Sequence, residues 1–171
     1  CGFNQNGHNL VAITVDESDH HIIRGNTVTN FAKGIAMSNS TDNIVDSNYI
    51  YTVSDYLMPT NYTQNFSGNY GIYANNSDSL FITNNSIKTG SGALIYQTNG
   101  ASTIKYNLLE TESGRGIWCE NQAGVEFSNN TLVSTNGTGD YGMYISNLSA
   151  PIIKNNIIAV SYTHLRAHET V

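Results

Sequence analysis

The chain has 171 residues, 39% of them hydrophobic and only 12% charged, with a formal net charge of −6, and that length is one domain's worth. The acidic balance disfavours nucleic acid, whose recognition needs a basic face, and no run of 18 apolar residues is present to span a membrane. Twenty-four asparagines among abundant Ser, Thr and Gly would suit a disordered chain, but Ile, Val, Leu and Phe recur too regularly for that.

Six copies of one pattern follow one another. In each, a small residue opens a short segment, Asn stands 14 positions later and an aliphatic residue 16 positions later. The copies run Ala12-Ile13 to Asn26 and Val28, Gly34-Ile35 to Asn48 and Ile50, and Gly71-Ile72 to Asn85 and Ile87. They continue as Ala93-Leu94 to Asn107 and Leu109, Gly116-Ile117 to Asn130 and Leu132, and Gly142-Met143 to Asn156 and Ile158. Their starts lie 22, 37, 22, 23 and 26 residues apart. A period near 22 with internal alternation predicts one solenoid coil per copy.

Counting from the small residue, positions one and three are apolar: Ile13/Val15, Ile35/Met37, Ile72/Ala74, Leu94/Tyr96, Ile117/Cys119 and Met143/Ile145. Position eleven is apolar as well, from Ile23 through Val45, Ile82, Ile104 and Phe127 to Ile153. Each copy is therefore expected to hold two or three short strands with one inward side. A helical reading fails, because Asn, Gly, Ser and Thr are too dense and β-branched residues dominate the apolar sites. One coil cannot bury its own inner side, so the coils must stack. The fold class expected is all-β, a single-stranded right-handed parallel β-helix of about six coils of 22–23 residues.

The recurrent Asn26, Asn48, Asn85, Asn107, Asn130 and Asn156 are expected to be structural. A primary amide donates and accepts, so stacked amides can bond the coil above and below as a ladder. Asn also tolerates the left-handed backbone of sharp bends. Two segments break the pattern. About fifteen extra residues fall between Tyr51 and Asn69, with Tyr51, Tyr56, Pro59, Tyr62 and Phe66, and long loops in solenoids often carry function. From residue 160 the composition shifts to His, Arg and Glu. Residues 1–159 are taken as the solenoid. Residues 160–171 resemble adapter sequence translated from a metagenomic assembly and are set aside. The chain opens on Cys1, so it is expected to be a piece of something longer, with further coils at both ends. Cys119 is expected in the core, and a Cys1–Cys119 bridge is disfavoured because the two lie several coils apart.

The strings Gly-Ile-Tyr-Ala-Asn-Asn-Ser and Ile-Thr-Asn-Asn-Ser-Ile, at residues 71–77 and 82–87, resemble right-handed parallel β-helix repeats of the pectate-lyase-like superfamily. They are most similar to its NosD-like and carbohydrate-binding/sugar-hydrolase branch, over residues 12 to about 159. The resemblance implies the fold. For activity it implies only a range, since the superfamily holds lyases, hydrolases, epimerases, adhesins and proteins without known chemistry. Asn-Thr-Asp, Asp-Asp and Arg-Ile-Lys strings of polygalacturonase type do not occur, and neither do Gly-Gly-x-Gly-x-Asp calcium repeats.

Position two should face solvent, and reads Thr14, Ala36, Tyr73, Ile95, Trp118 and Tyr144. The residue before position zero reads Val11, Lys33, Tyr70, Gly92, Arg115 and Tyr141. Such a contiguous apolar stripe is seldom exposed without a use. Tyr70, Tyr73, Trp118, Tyr141 and Tyr144 are the candidate sugar-stacking groups, with Asn75, Gln97 and Glu120 placed to bond hydroxyls. The plainer alternative is cross-strand packing of the aromatics.

A glycoside hydrolase needs two carboxylates roughly 5–10 Å apart. Glu120 is the best-placed acid, Glu110, Glu112 and Asp140 are expected in turns nearby, and Arg115 is the only base beside the stripe for a lyase. Asp16, Glu17, Asp19, His20 and His21, with His8 before them, are read as solvated turn rather than as a metal site. No cofactor is expected. Asn-x-Ser/Thr strings such as Asn61-Tyr62-Thr63 and Asn147-Leu148-Ser149 fit a secreted protein. The leading expectation is an extracellular, cell-surface or periplasmic β-helix that binds polysaccharide. A glycoside hydrolase or lyase, and a spacer or adhesin stalk without catalysis, are the alternatives.

Overall fold

The structure is a computed structural model that describes residues 11–52, 70–89, 93–112, 115–121, 124–135, 141–147 and 150–160. These residues form three parallel sheets of six strands each. The first sheet stacks Val11–Asp16, Lys33–Ser38, Tyr70–Asn75, Ala93–Thr98, Arg115–Glu120 and Tyr141–Ser146. The second stacks Ile22–Arg24, Ile44–Asp46, Leu80–Thr83, Ser102–Lys105, Glu126–Ser128 and Ile152–Lys154. The third stacks Thr27–Phe31, Tyr49–Thr52, Ser86–Thr89, Leu108–Thr111, Thr131–Ser134 and Ile157–Val160. The chain visits the sheets in rotation and pairs each strand with its counterpart one coil away, which makes a three-walled parallel β-solenoid.

The inward rows close a narrow core. Ile35, Met37, Val45, Ile50, Ile72, Ala74, Ile82, Ile95, Ile104, Leu109, Ile117, Cys119 and Phe127 are fully buried, and Cys119 carries a free thiol. Packing also explains the spacing of 16. A Cβ on Gly34 would lie 2.4 Å from Ile50 Cγ2, one on Gly116 2.6 Å from Leu132 Cδ2, and one on Gly142 2.4 Å from Ile158 Cγ2. The aliphatic residue closing each of these coils thus sits over the small residue that opened it, and a larger opening residue would collide with it.

The asparagine ladder is continuous. Nδ2 of Asn26, Asn48, Asn85, Asn107 and Asn130 each donates to Oδ1 of the next ladder residue at 3.0 Å. The same acceptors take the backbone N–H of the preceding coil's asparagine, at 2.9–3.1 Å. Each Nδ2 from Asn48 to Asn156 also donates to a second-sheet carbonyl, Ile23, Val45, Ile82, Ile104 or Phe127, at 2.8–3.0 Å. The left-handed bend, however, falls one residue earlier. Gly25, Ser47, Asn84, Tyr106, Asn129 and Asn155 have φ between 55° and 67°. The ladder residue itself is held by its amide bonds, so the expectation that it supplies the bend is corrected.

The fourth coil corrects the strand register. Ile95 pairs with Ile72 and Ile117, Tyr96 with Tyr73 and Trp118, and Gln97 with Ala74 and Cys119. Leu94 rather than Ala93 therefore stands at the position of Gly71 and Gly116. Ile95 and Gln97 face inward, both fully buried, and Tyr96 faces out. The cause is a turn one residue shorter. Three residues separate Thr98 from Ser102, where four separate Asn75 from Leu80. Gly100, at φ 102°, makes the tighter path, and a Cβ there would lie 2.4 Å from the Ser77 carbonyl oxygen. A one-residue slip exchanges the faces of a strand.

Three boundaries also move. Tyr51 belongs to a third-sheet strand and not to the insertion, and Val160 pairs with Ser134 as the last residue of the last strand. Glu110 lies within a third-sheet strand, not in a turn, and accepts from Lys88 Nζ at 2.5 Å. The remainder of the insertion, residues 53–69, and the tail, residues 161–171, lie outside the described residues, as do Cys1, His8, Asn61 and Asp140. Among the described residues no helix is long and apolar enough to cross a membrane.

Candidate functional site

The outer side of the first sheet carries two parallel rows set by strand register. One row reads Thr14, Ala36, Tyr73, Tyr96, Trp118, Tyr144, and its neighbour reads Val11, Lys33, Tyr70, Ala93, Arg115, Tyr141. The aromatic row thus continues across four consecutive coils, with Tyr96 supplying the member expected of Ile95.

The rings pack on one another. Tyr73 and Tyr96 stack with centroids 5.2 Å apart and planes 8° from parallel. Trp118 meets Tyr96 edge-on at 5.1 Å and Tyr144 edge-on at 5.7 Å. Tyr70 lies 5.1 Å from Tyr73 and 5.2 Å from Tyr96, and Tyr141 lies 5.7 Å from Tyr144. Much of the ring-face area is therefore spent within the row, each contact adding about 0.5–1.5 kcal/mol beyond area burial. Tyr70, Tyr73, Tyr96, Trp118 and Tyr144 are half-buried, while Tyr141 is exposed. None of the five phenol hydroxyls makes a hydrogen bond to another described residue. Burial raises the Tyr70 and Tyr96 phenols above their ordinary pKa, assisted by neighbouring phenols at both and by Glu120.

Two cations lie among the rings. Lys33 Nζ sits 4.2 Å from the Tyr73 ring centre, and the Arg115 guanidinium sits 3.5 Å from that of Trp118 and 4.8 Å from that of Tyr144. Burial lowers the Lys33 pKa. Arg115 Nη1 is buried with no hydrogen-bond acceptor among the described residues. Sequence reasoning placed Lys33 in the row but passed it over as a site residue.

On the other flank stand Asn75, exposed, and Glu120, half-buried, whose Oε1 accepts from Trp118 Nε1 at 2.6 Å. Gln97 does not join them. It is buried, donating from Nε2 to the Ser77 carbonyl and to Ser102 Oγ, with Oε1 left without a partner. An unforeseen second amide row runs beside this flank, where Asn76 Nδ2 donates to Asn39 Oδ1 at 2.8 Å and Asn147 Nδ2 to Asn121 Oδ1 at 3.1 Å.

Glu120 is not joined on its wall by the other candidate acids among the described residues. Glu110 belongs to the third sheet, and Glu126, on the second, accepts from Lys105 and Lys154 at 2.8 and 3.0 Å. On the first sheet Asp16 shares a register row with Glu120 four strand steps away, about 19 Å at the usual strand spacing. A hydrolytic pair needs about 5–10 Å. In the first coil, His20 Nε2 lies 3.5 Å from Asp42, Ser18 Oγ lies 2.6 Å from His21 Nε2, and Asp19 accepts the Thr41 N–H at 2.6 Å. These acids and imidazoles are thus tied to neighbouring turns.

Compared with known proteins, residues 2–158 match the family model described as right handed beta helix region. No curated protein and no solved structure gives a match.

Proposed function

Because the chain belongs to the right-handed β-helix family, with its aromatic row on one outer wall, we propose that it binds polysaccharide along that wall, outside the cell, at its surface or in a periplasm. The observation that carries this reading is the gathering of Tyr70, Tyr73, Tyr96, Trp118, Tyr141 and Tyr144 on one outer wall, where the five phenol hydroxyls make no hydrogen bond to another described residue. Tyr70 and Tyr73 share one coil, Tyr96 stands on the next, and Tyr141 and Tyr144 share the coil beyond Trp118. A glycan offers the complement, hydroxyl groups at regular intervals and apolar C–H surface between them. Asn75 and Glu120 flank the row and add an amide and a carboxylate for further hydroxyls.

A second reading is favoured by the ring–ring packing itself. The row would then be cross-strand stabilisation of a spacer or adhesin stalk, with no ligand. Binding to a glycan array separates the two. The Trp118→Ala, Tyr144→Ala double variant should lose binding while keeping the β-rich circular dichroism of the parent. Undiminished binding by a folded double variant would remove the wall from the function.

A further inference from the structure

We propose that Asn99 is a self-modifying site: in the folded chain it loses its amide to attack by the Gly100 nitrogen and becomes aspartate and isoaspartate ahead of the other described asparagines. The proposal is independent of the glycan reading. Its basis is a column of equivalent turn residues. Glu17, Asn39, Asn76, Asn99, Asn121 and Asn147 each follow a strand of the first sheet directly. All six are left-handed, with φ between 47° and 56°, and all six are exposed. The backbone N–H groups of Glu17, Asn39, Asn99 and Asn121 donate to the strand-end carbonyl of the next coil at 3.0–3.2 Å. What differs is the residue that follows, which reads Ser18, Ser40, Ser77, Gly100, Gln122 and Leu148. Asn99 is the one described asparagine followed by glycine.

The reaction needs only water. The Gly100 amide nitrogen gives up its proton to solvent and bonds to Asn99 Cγ. The Cγ–Nδ2 bond breaks, and ammonia leaves with a proton taken back from solvent. Water then opens the succinimide at either carbonyl, giving aspartate or isoaspartate. A side chain on the following residue crowds the attacking nitrogen and limits the backbone swing that brings it onto Cγ, and glycine does neither. Asn39 and Asn121 are held by the same kind of backbone bond as Asn99, so restraint does not set the order among them and the following residue does. The fourth coil also makes the product disruptive. Isoaspartate adds one methylene to the backbone, and Asn99, Gly100 and Ala101 are the whole turn between Thr98 and Ser102. Gly100 already lies against the Ser77 carbonyl oxygen, where a Cβ would come within 2.4 Å. The added atom therefore strains the bonds on either side, Asn99 N–H to Glu120 O and Ala101 N–H to Asp78 Oδ1, and loosens this coil from its neighbours. Conversion also adds one negative charge beside these two acids, in a chain whose formal net charge is −6.

The test ages the full folded chain in mildly alkaline buffer and follows each asparagine by peptide mass spectrometry, with isoaspartyl methyltransferase marking isoaspartate. Asn99 should convert severalfold faster than Asn39, Asn76 and Asn121. Asn6 and Asn136, also followed by glycine but outside the described residues, are scored separately as references. Asn99→Gln should remove the conversion, because the longer side chain closes its ring slowly. Gly100→Ser is unsuitable, since φ 102° and the Ser77 carbonyl exclude a side chain there. Ser40→Gly should instead bring Asn39 up to the rate of Asn99, with the β-rich circular dichroism of the parent retained, and Ser77→Gly makes the same comparison at Asn76. Conversion of Asn99 no faster than that of Asn39 and Asn76 overturns the proposal. An unchanged rate at the preceding asparagine in a folded glycine variant overturns it as well. The fraction carrying isoaspartate at position 99, separated by anion exchange, should melt below the unaged chain, and identical melting would overturn the claim that the turn has no room for the added atom.

Discussion

Replacing Asn85 with Ala tests the internal ladder where it is most complete. The Asn85 amide donates to Val45 O at 2.8 Å and to Asn107 Oδ1 at 3.0 Å, and accepts from the Asn48 backbone N–H and Nδ2, both at 3.0 Å. Asn48 Nδ2 keeps its bond to Ile23 O, and Asn107 Oδ1 keeps the Asn85 backbone N–H. The Asn48 N–H and the Val45 carbonyl lose this partner inside the core. At about 1 kcal/mol for each of the two bonds whose surviving partner stays satisfied and at least about 1 kcal/mol for each of the two buried orphans, the loss is at least about 4 kcal/mol. For a chain of this length that lowers Tm by about 8–16 °C. Asn26→Ala supplies the control. Asn26 stands at the start of the ladder, half-exposed, and its amide donates only to Arg24 O and Asn48 Oδ1, so water can replace it at a cost of about 1 kcal/mol. Urea and thermal unfolding of both variants give the comparison. Equal losses at the two positions would refute the argument, because the cost would not depend on burial and satisfaction of the amide. Asn85→Asp sharpens it. A buried carboxyl without a cation has a raised pKa, so the folded state holds the proton that the unfolded state releases near pH 4. Relative to the parent, that variant should be most stable below pH 4 and lose stability as pH rises above it.

Gly116→Ala places a Cβ 2.4 Å from the Gly142 carbonyl oxygen as well as against Leu132, whereas Gly142→Ala meets only the side chain of the exposed Ile158. Melting should therefore show a loss of about 1–3 kcal/mol for the first and less for the second. Asp46 is held down to a pKa of about 2, first by Asn84, then by Thr83, Ser47 and Arg24. Its stabilisation is present above pH 4 and is lost as pH falls toward 2, so Asp46→Asn should flatten that limb of the acid titration. Glu126, likewise lowered to about 2 by Lys105 and Lys154, predicts the same for Glu126→Gln, and an unchanged acid limb in both would count against these contacts. Burial pushes the Cys119 thiol far up. In a Cys1→Ser background it should stay unreactive to an aromatic disulfide reagent at pH 8 until urea unfolds the chain.

Much of the coil was legible because its causes are local and repeated. At Gly34, Gly116 and Gly142 the small opening residue meets the aliphatic residue sixteen positions on, so there the spacing records a contact. The ladder asparagines were legible for the same reason, since one missing amide leaves its neighbours unpaired. The second amide row is written in the sequence as well, as Asn at position five in Asn39, Asn76, Asn121 and Asn147, but it recurs in four copies rather than six and so stands out less from the abundant asparagines. Gln97 and Tyr96 were misplaced because aligning on Ala93 hid a one-residue deletion in the turn. Composition alone does not show which of two neighbouring residues opens a strand.

By itself, the order of residues determined the period, the inward apolar rows, the stacking of coils and the amide column. Each of these follows from alternation and spacing within one short stretch of chain, repeated. Only the tertiary structure decided which ring meets which, and that Lys33 and Arg115 lie against rings of the wall while the other described cations lie against described carboxylates. Those facts depend on side chains brought together from coils 22 or more residues apart, and register across a sheet is settled by the neighbouring strand rather than by the strand's own sequence.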